Sequence, residues 1–330
     1  MSIIELKTTQ PSAPDSTAKV TDLFDIDCNW TVPCFSESGP LVPARDENYV
    51  FHPDTTRSIL AGIIHNRRIL LQGLHGTGKS SHIEQIASRL NWPCVRVNLD
   101  SHISRVDLMG KETIALEDGQ QVTRFQEGVL PWAVQNPCIL VLDEYDAGRP
   151  DVMFVIQRIL ETDGRLTLLD KNIVIEPHPY FRIFATANTT GLGDTTGLYH
   201  GTNALNQGQL DRWDIIANLD YLPEETEVAI IRAKVPDLQQ AIGQGKNDDI
   251  VVPMVRLANL TRTGFAAGDL STLMSPRTVL TWGQNAVIFG DLAGAFAVSF
   301  MNRCDEAEHD TLAEYYQRCF DQDLYEQLAA

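Results

Sequence analysis

The chain has 330 residues, 43% hydrophobic and 21% charged, with a mean hydropathy of −0.14, which supports buried cores and excludes a wholly disordered chain. Forty-four acidic against 26 basic residues leave a formal charge of −18, which disfavours non-specific binding to nucleic acid or to an anionic membrane. No apolar run reaches the ~20 residues of a membrane span, the first residues lack the apolar stretch of a signal peptide, and the expected compartment is the cytoplasm.

In chain order, residues 1–20 are rich in Ser, Thr, Pro and Lys and are expected to form a mobile N-terminal tail. Residues 21–48 are proline-punctuated and read as an N-terminal arm packed on a larger body. Residues 49–222 alternate helix-like and strand-like segments. Pro53 ahead of Ile59, Leu60, Ile63 and Ile64 predicts a helix. The short apolar runs 69–71, 95–97, 139–142, 183–185 and 215–216 predict buried strands, with crossover helices between them. That alternation predicts an α/β unit built on a parallel sheet flanked by helices. Two stretches interrupt it, 112–128 with an Asp-Gly turn and 165–177, and both read as inserted β-hairpins. From residue 223 to 330 the strand signals stop; helical spacing, broken at 243–245, 264–268 and 290, predicts a small helical domain with further C-terminal helices.

The most specific signal is Gly73-Leu74-His75-Gly76-Thr77-Gly78-Lys79-Ser80, which fits G-x-x-x-x-G-K-[ST] between a predicted strand and a predicted helix. Glycines let backbone N–H groups curl around a phosphate, and the helix N-terminus beyond favours negative charge. Lys79 supplies a cation for the β- and γ-phosphates, and Ser80 a hydroxyl for Mg²⁺. Gly73, His75, Gly76, Thr77, Gly78, Lys79, Ser80 and Ser81 are therefore the expected nucleotide-binding residues, joined by Asp143. Further on, 138–142 is an apolar strand that ends in Asp143 and Glu144, at the edge where ligands bind in open α/β sheets. Asp143 is expected in the Mg²⁺ shell, and Glu144 is expected to activate the attacking water. Asn188 ends another strand, where it either contacts the γ-phosphate or closes the strand. Arg212 and Arg277, taken alone, read as surface charges. The six cysteines form no C-x-x-C pair, and His75 and His82 are read as packing or hydrogen-bonding groups rather than metal ligands.

Together the P-loop at 73–80, the Asp143-Glu144 strand, TANT at 186–189, LDRW at 210–213 and SPRT at 275–278 resemble the AAA+ ATPases. Within that superfamily they are similar to the branch of MoxR-type ATPases and metal-chelatase motors. Three longer runs, 90–102, 143–161 and 184–202, resemble the small ATPase subunits of aerobic, ATP-dependent cobaltochelatases. The resemblance implies an AAA+ P-loop fold with a central parallel sheet, inserted hairpins and a helical lid. It implies ATP and Mg²⁺ as ligands, with Asn188 as sensor one, Arg277 as sensor two and Arg212 as an arginine finger acting in trans. A finger in trans raises turnover by ~10³–10⁵, so hydrolysis would depend on a homo-oligomeric, hexamer-type ring. Two partners are implied as well, a von Willebrand A-domain chelatase subunit and a large corrinoid-binding subunit. The implied activity is ATP hydrolysis that drives Co²⁺ into hydrogenobyrinic acid a,c-diamide. The alternative is a MoxR-like chaperone ATPase that remodels a von Willebrand A-domain partner or its client.

Overall fold

A computed structural model of the chain describes residues 12–100, 102–117, 120–189, 207–242 and 249–329. The described part begins with β1 (Ser16–Lys19), α1 (Val20–Phe24) and β2 (Thr31–Cys34). β1 and β2 form an antiparallel pair with Ser16 opposite Cys34. Residues 1–11 of the expected tail lie outside the described residues, whereas 16–20 are built into this unit. The reason is burial: Val20, Phe24, Ile26, Val32 and Phe35 join one core with Ile59, Leu60, Ile86 and Trp92 of the main body. Each such side chain contributes roughly 1.5–3 kcal/mol when fully buried, enough to offset much of the ordering of a short arm.

The main body runs α2 (Pro53–His65), β3 (Ile69–Gln72), α3 (Lys79–Arg89), β4 (Cys94–Asn98), α4 (Arg105–Met109), β5 (Gly110–Glu117) and β6 (Gln120–Glu127). It continues through α5 (Val129–Val134), β7 (Ile139–Asp143), α6 (Pro150–Ile159), β8 (Leu166–Leu168), β9 (Ile173–Ile175), β10 (Arg182–Ala187), α7 (Gln207–Leu210) and β11 (Ile215–Asn218). Pro53 stands in the first turn of α2, where no amide is missed, and His52 Nδ1 accepts the Thr55 N–H at 3.4 Å.

Five strands pair in parallel in the order β11-β3-β10-β7-β4, and each contains one of the expected apolar runs. Side chains alternate between the two faces of the sheet. Ile69, Leu71, Ile139, Val141 and Phe184 face the core shared with α2, α3 and the N-terminal arm. Leu70, Leu140, Leu142, Ile183 and Ala185 face a second core with residues of α4, α5 and α6. The parallel sheet is thus covered on both faces, and the ends of β3, β7 and β10 meet at one edge.

Both inserted hairpins are present as antiparallel pairs: β5 with β6, Gly110 opposite Glu127, and β8 with β9, Leu166 opposite Ile175. The Asp-Gly turn at 118–119 lies outside the described residues. Beyond Pro223 come α8 (Glu224–Lys234), α9 (Leu238–Ile242), α10 (Val251–Ala267), α11 (Pro276–Phe289), α12 (Leu292–Ser299), α13 (His309–Phe320) and α14 (Leu324–Ala329). They close around a third core that includes Ile231, Met254, Trp282, Phe296 and Tyr316. Of the breaks expected here, 243–245 lies outside the described residues. Gly264 lies within α10, packed against Tyr315 and Leu270; the helix ends only at Gly268, in the left-handed region with φ +83°. Gly290 closes α11 in the same way at φ +67°. No helix among the described residues is long and apolar enough to cross a membrane.

Candidate active site

The loop from β3 to α3 is shaped by contacts on both sides. A Cβ on Gly73 would lie 2.1 Å from the Leu219 carbonyl oxygen, and one on Gly76 would lie 2.3 Å from Ser275 Cβ. Gly73 therefore lets the loop rest on the residue that follows β11, and Gly76 lets Ser275, the N-cap of the lid helix α11, rest on the loop. The motif itself does not demand glycine at Gly76; lid packing and a left-handed φ of +76° do. Tyr221 Oη completes the seat by donating to the His75 carbonyl at 2.7 Å.

Lys79 opens α3 and is buried, with its Nζ donating to the carbonyls of Gly73 (2.8 Å) and Leu74 (3.0 Å) and to Asn188 Oδ1 (2.9 Å). Burial lowers its pKa to about 8, against the opposing pull of Asp146, Asp143 and Glu144. Lys79 and Asn188, each expected at the site from the sequence, are thus joined directly, although 109 residues separate them.

Asp143 ends β7 with its side chain 6% exposed. Its Oδ1 accepts hydrogen bonds from the Ser80 and Thr186 hydroxyls, and its Oδ2 accepts from Arg96 Nε at 2.8 Å and from Arg96 Nη2. Burial alone would raise the pKa of this carboxyl. The two hydroxyls and the guanidinium outweigh burial and hold it below the usual carboxylate range. Glu144 follows in the left-handed region (φ 55°, ψ 46°), with its backbone N–H donated to Thr186 Oγ1 at 3.1 Å. That conformation costs a non-glycine residue about 1 kcal/mol or more, and it turns the chain sharply where the strand ends. Glu144 lines the same chamber as Lys79, Ser80 and Asp143.

Asp146 is a further site residue, fully buried, that the sequence reading missed. Its Oδ2 accepts the backbone N–H groups of Asn188 (3.0 Å) and Thr189 (2.9 Å) and the Thr189 hydroxyl (2.9 Å). It fixes the end of β10 and so aims Asn188. Arg96 of β4 and Thr186 of β10 were also missed. A single charged or hydroxylic residue in a strand carries no sequence signal; its meaning comes from strand register, which sets Asn98 opposite Asp143.

Two chambers meet at the loop. The first, of about 110 Å³, is lined by His75, Gly76, Gly78, Lys79, Ser80, Ser81, Arg96, Asp143, Glu144, Thr186, Asn188 and Arg277. The second, of about 270 Å³, is more apolar and is walled by the 46–52 segment, the 219–222 linker and the lid residues Ile230, Lys234 and Leu280. Thr77 lines only the second, while Gly76, Gly78, Ser81 and Arg277 border both. The lid therefore delivers Arg277, in the first turn of α11, to the point where the chambers join.

The 46–52 segment is held firmly over the second chamber. Arg89 Nη2 donates to the Asp46 carbonyl at 2.6 Å, Gln85 Oε1 accepts the Asp46 N–H at 2.9 Å, and Lys234 pairs with the Asp46 carboxylate. His82 is buried between Tyr49 Oη (3.0 Å from Nδ1) and Thr56 Oγ1 (2.9 Å from Nε2), and burial pushes its pKa to about 3. A neutral ring with one donor and one acceptor nitrogen suits that relay, so His82 serves hydrogen bonding, as read from the sequence. His75 faces Lys79 and Arg277; partial burial first and then those charges hold its pKa below the ordinary histidine value.

Arg212 stands apart and lines neither chamber. Its Nε donates to Glu161 Oε1 at 2.8 Å, and Nη1 donates to the Gly208 carbonyl. Its neighbour Trp213 is buried and packs edge-on against Tyr145, with ring centroids 5.2 Å apart. The Trp213 anchor thus fixes Arg212 beside the turn that carries Glu144, with its side chain about one-third exposed (32%).

Comparison with known proteins gives two family matches: the AAA domain (dynein-related subfamily) over residues 68–200, and the cobaltochelatase CobS subunit N terminal over residues 9–42. The chain is 59% identical over 313 residues to the aerobic cobaltochelatase subunit CobS of Sinorhizobium sp, spanning 95% of this chain and 93% of that protein. It is 29% identical over 211 residues to midasin of Dictyostelium discoideum, spanning 62% of this chain and 3% of that protein. Among solved structures, the Thermotoga maritima RuvB Holliday junction branch migration motor aligns with 84% of this chain and 73% of that chain, at 14% identity and a TM-score of 0.45.

Proposed function

Because the chain belongs to the family of aerobic cobaltochelatase CobS subunits, we propose that it is the ATP-hydrolysing motor subunit of an aerobic cobaltochelatase and works together with the other chelatase subunits. The observation that carries the mechanism is the convergence of Lys79, Ser80, Asp143, Glu144, Asn188 and Arg277 on one small chamber at the strand ends. The nucleoside occupies the larger chamber under the 46–52 segment, and the phosphates extend along the loop into the smaller one. Backbone N–H groups of the loop and the N-terminus of α3 receive the phosphate oxygens. Lys79, which now satisfies two loop carbonyls and Asn188, turns its charge to the β- and γ-phosphates.

The donor set fits Mg²⁺: the Ser80 hydroxyl and the Asp143 carboxylate, both hard oxygen ligands, already touch at the wall of the phosphate chamber. When bound there, Mg²⁺ supplies charge neutralisation at the phosphates. Glu144 accepts a proton from the attacking water, and Asn188, aimed by Asp146, orients that water or the γ-phosphate. Arg277 brings the state of the nucleotide to the lid through α11. Arg212 acts on the nucleotide of a neighbouring copy in a hexamer-type ring, since on its own chain it is held by Glu161.

The work done is insertion of Co²⁺ into hydrogenobyrinic acid a,c-diamide, with cobalt and corrinoid held by a large partner subunit and a von Willebrand A-domain subunit linking the two. The chaperone alternative is not favoured, because the match to the CobS relative runs through nearly the whole chain, including the N-terminal arm. The test is cobalt insertion by the full set of subunits with ATP, using the native chain or Glu144→Gln. The expected result is insertion by the native chain and none by the variant while complexes still assemble. Robust ATP hydrolysis without insertion by a folded, complete set would contradict the proposal.

A further inference from the structure

Every acceptor site of the Asp143 carboxylate is filled. Oδ1 takes two hydroxyls, from Ser80 and Thr186, and Oδ2 takes two N–H groups of one guanidinium, that of Arg96. A carboxylate offers about four lone-pair positions, so no place is left for a cation until a donor leaves. The donors are not equivalent. A hydroxyl can keep its place by rotating, because it has lone pairs of its own to offer a metal. A guanidinium has donors only and carries a full positive charge, so it cannot share Oδ2 with a divalent cation.

Arg96 also has somewhere to go. Its Nη1 lies 3.8 Å from Glu84 Oε1 on α3, its side chain is 44% exposed, and it lines the phosphate chamber. Asp143, by contrast, is fixed at the end of a buried strand. The mobile member of the pair is therefore the arginine. We propose that Arg96 is a resident counter-cation that occupies the metal side of Asp143 in the nucleotide-free chain and moves towards Glu84 when Mg²⁺ enters with the nucleotide. Arg96 is a positioning residue in this account. It keeps a buried carboxylate compensated while the site is empty, and it sets how much Mg²⁺ is needed to load it. The inference rests on the nucleotide-site reading above.

The experiment is equilibrium binding of the fluorescent nucleotide mant-ADP to the full-length chain, titrated with MgCl₂ from an EDTA-buffered start. The readout is the Mg²⁺ concentration giving half of the Mg²⁺-dependent fluorescence change, which needs no turnover. Arg96→Gln removes the competitor, and the midpoint is expected to fall by ~5-fold or more, the lower end of ordinary coupling between sites. Arg96→Lys, which restores the charge, is expected to return it to within about twofold of native on the same scale. Glu84→Gln removes the alternative seat and is expected to raise the midpoint.

The sign decides the matter. If Arg96 only props Asp143 in place, Arg96→Gln raises the midpoint or leaves it unchanged, and either result overturns the proposal. Should Arg96→Gln fail to fold, an unshifted midpoint in Glu84→Gln overturns it instead. A native chain that binds no mant-ADP, with or without Mg²⁺, overturns the nucleotide-site reading as well; binding with unshifted variants overturns only the role of Arg96.

Discussion

In the smaller chamber, Lys79, Ser80, Asp143, Glu144, Asn188 and Arg277 border one volume of about 110 Å³, whereas Arg212 lies outside it with its guanidinium turned to Glu161 of its own chain. Asp143 and Asn188 at the strand ends are hydrogen-bonded to Ser80 and Lys79 in the first turn of α3, and α11 brings Arg277 to the same wall, so these groups are held in a fixed arrangement. The Arg212–Glu161 pair is partly exposed on both sides, and such pairs contribute only ~0–1 kcal/mol. Its charge is held in place but is cheaply released. The difference teaches that the residues proposed to bind nucleotide are gathered on one wall, whereas the charge proposed to act on another copy lies on a different surface.

The largest effect expected from breaking that contrast is at Arg212. Arg212→Ala should lower ATP turnover of the assembled protein by ~10³-fold or more, while the affinity of the isolated chain for nucleotide stays within about twofold of native, since no chamber contact is lost. Steady-state hydrolysis and equilibrium binding, measured side by side, check this; weakened binding would place Arg212 in its own chain's site. Lys79→Ala sharpens the other half of the comparison. It removes the one ammonium that three oxygen acceptors hold at the chamber wall, and nucleotide binding should fall by roughly 100-fold. Calorimetric titration with ADP would show it.

A smaller effect follows from the pKa of Lys79. In the free chain burial lowers it from the ordinary 10.5 to about 8, and a bound phosphate favours the charged form. Below pH 8 the lysine is already protonated, and binding is flat with respect to this group. Above pH 8 binding must take up a proton, so affinity should weaken with rising pH, by up to ~10-fold per unit. A mant-ADP affinity that does not change between pH 8 and 9.5 would contradict this reading of Lys79.

The strands of this fold were legible because a strand buried on both faces reports itself: Ile69–Gln72 and Ile139–Asp143 are apolar almost throughout and end where polar chemistry starts. The loop residues were legible for a related reason, since backbone cradling of phosphate demands glycines at fixed spacing. Strand order was not legible, and with it went Arg96, Thr186 and Asp146, whose roles exist only because β4, β10 and the turn after β7 are neighbours of the Asp143 strand. The N-terminal arm was hidden too. Val20, Phe24, Ile26, Val32 and Phe35 lie in a helix, a strand and irregular segments, so no single period links them, and only the shared core with α2 and α3 explains them. The larger chamber draws on segments as distant as Asp46 and Leu280, a distance that local patterns do not span.

The central claim is that nucleotide is bound by one chain and hydrolysed between two. Mixing Glu144→Gln chains with Arg212→Ala chains tests it most directly, because each variant spoils a different half of the shared site. ATP hydrolysis is expected to be nearly absent in either variant alone and to return to a clear fraction of native turnover in the mixture, where some interfaces pair an intact Glu144 with an intact Arg212. A mixture as inactive as its components, with ring assembly verified, would show that Arg212 does not complete a neighbour's site.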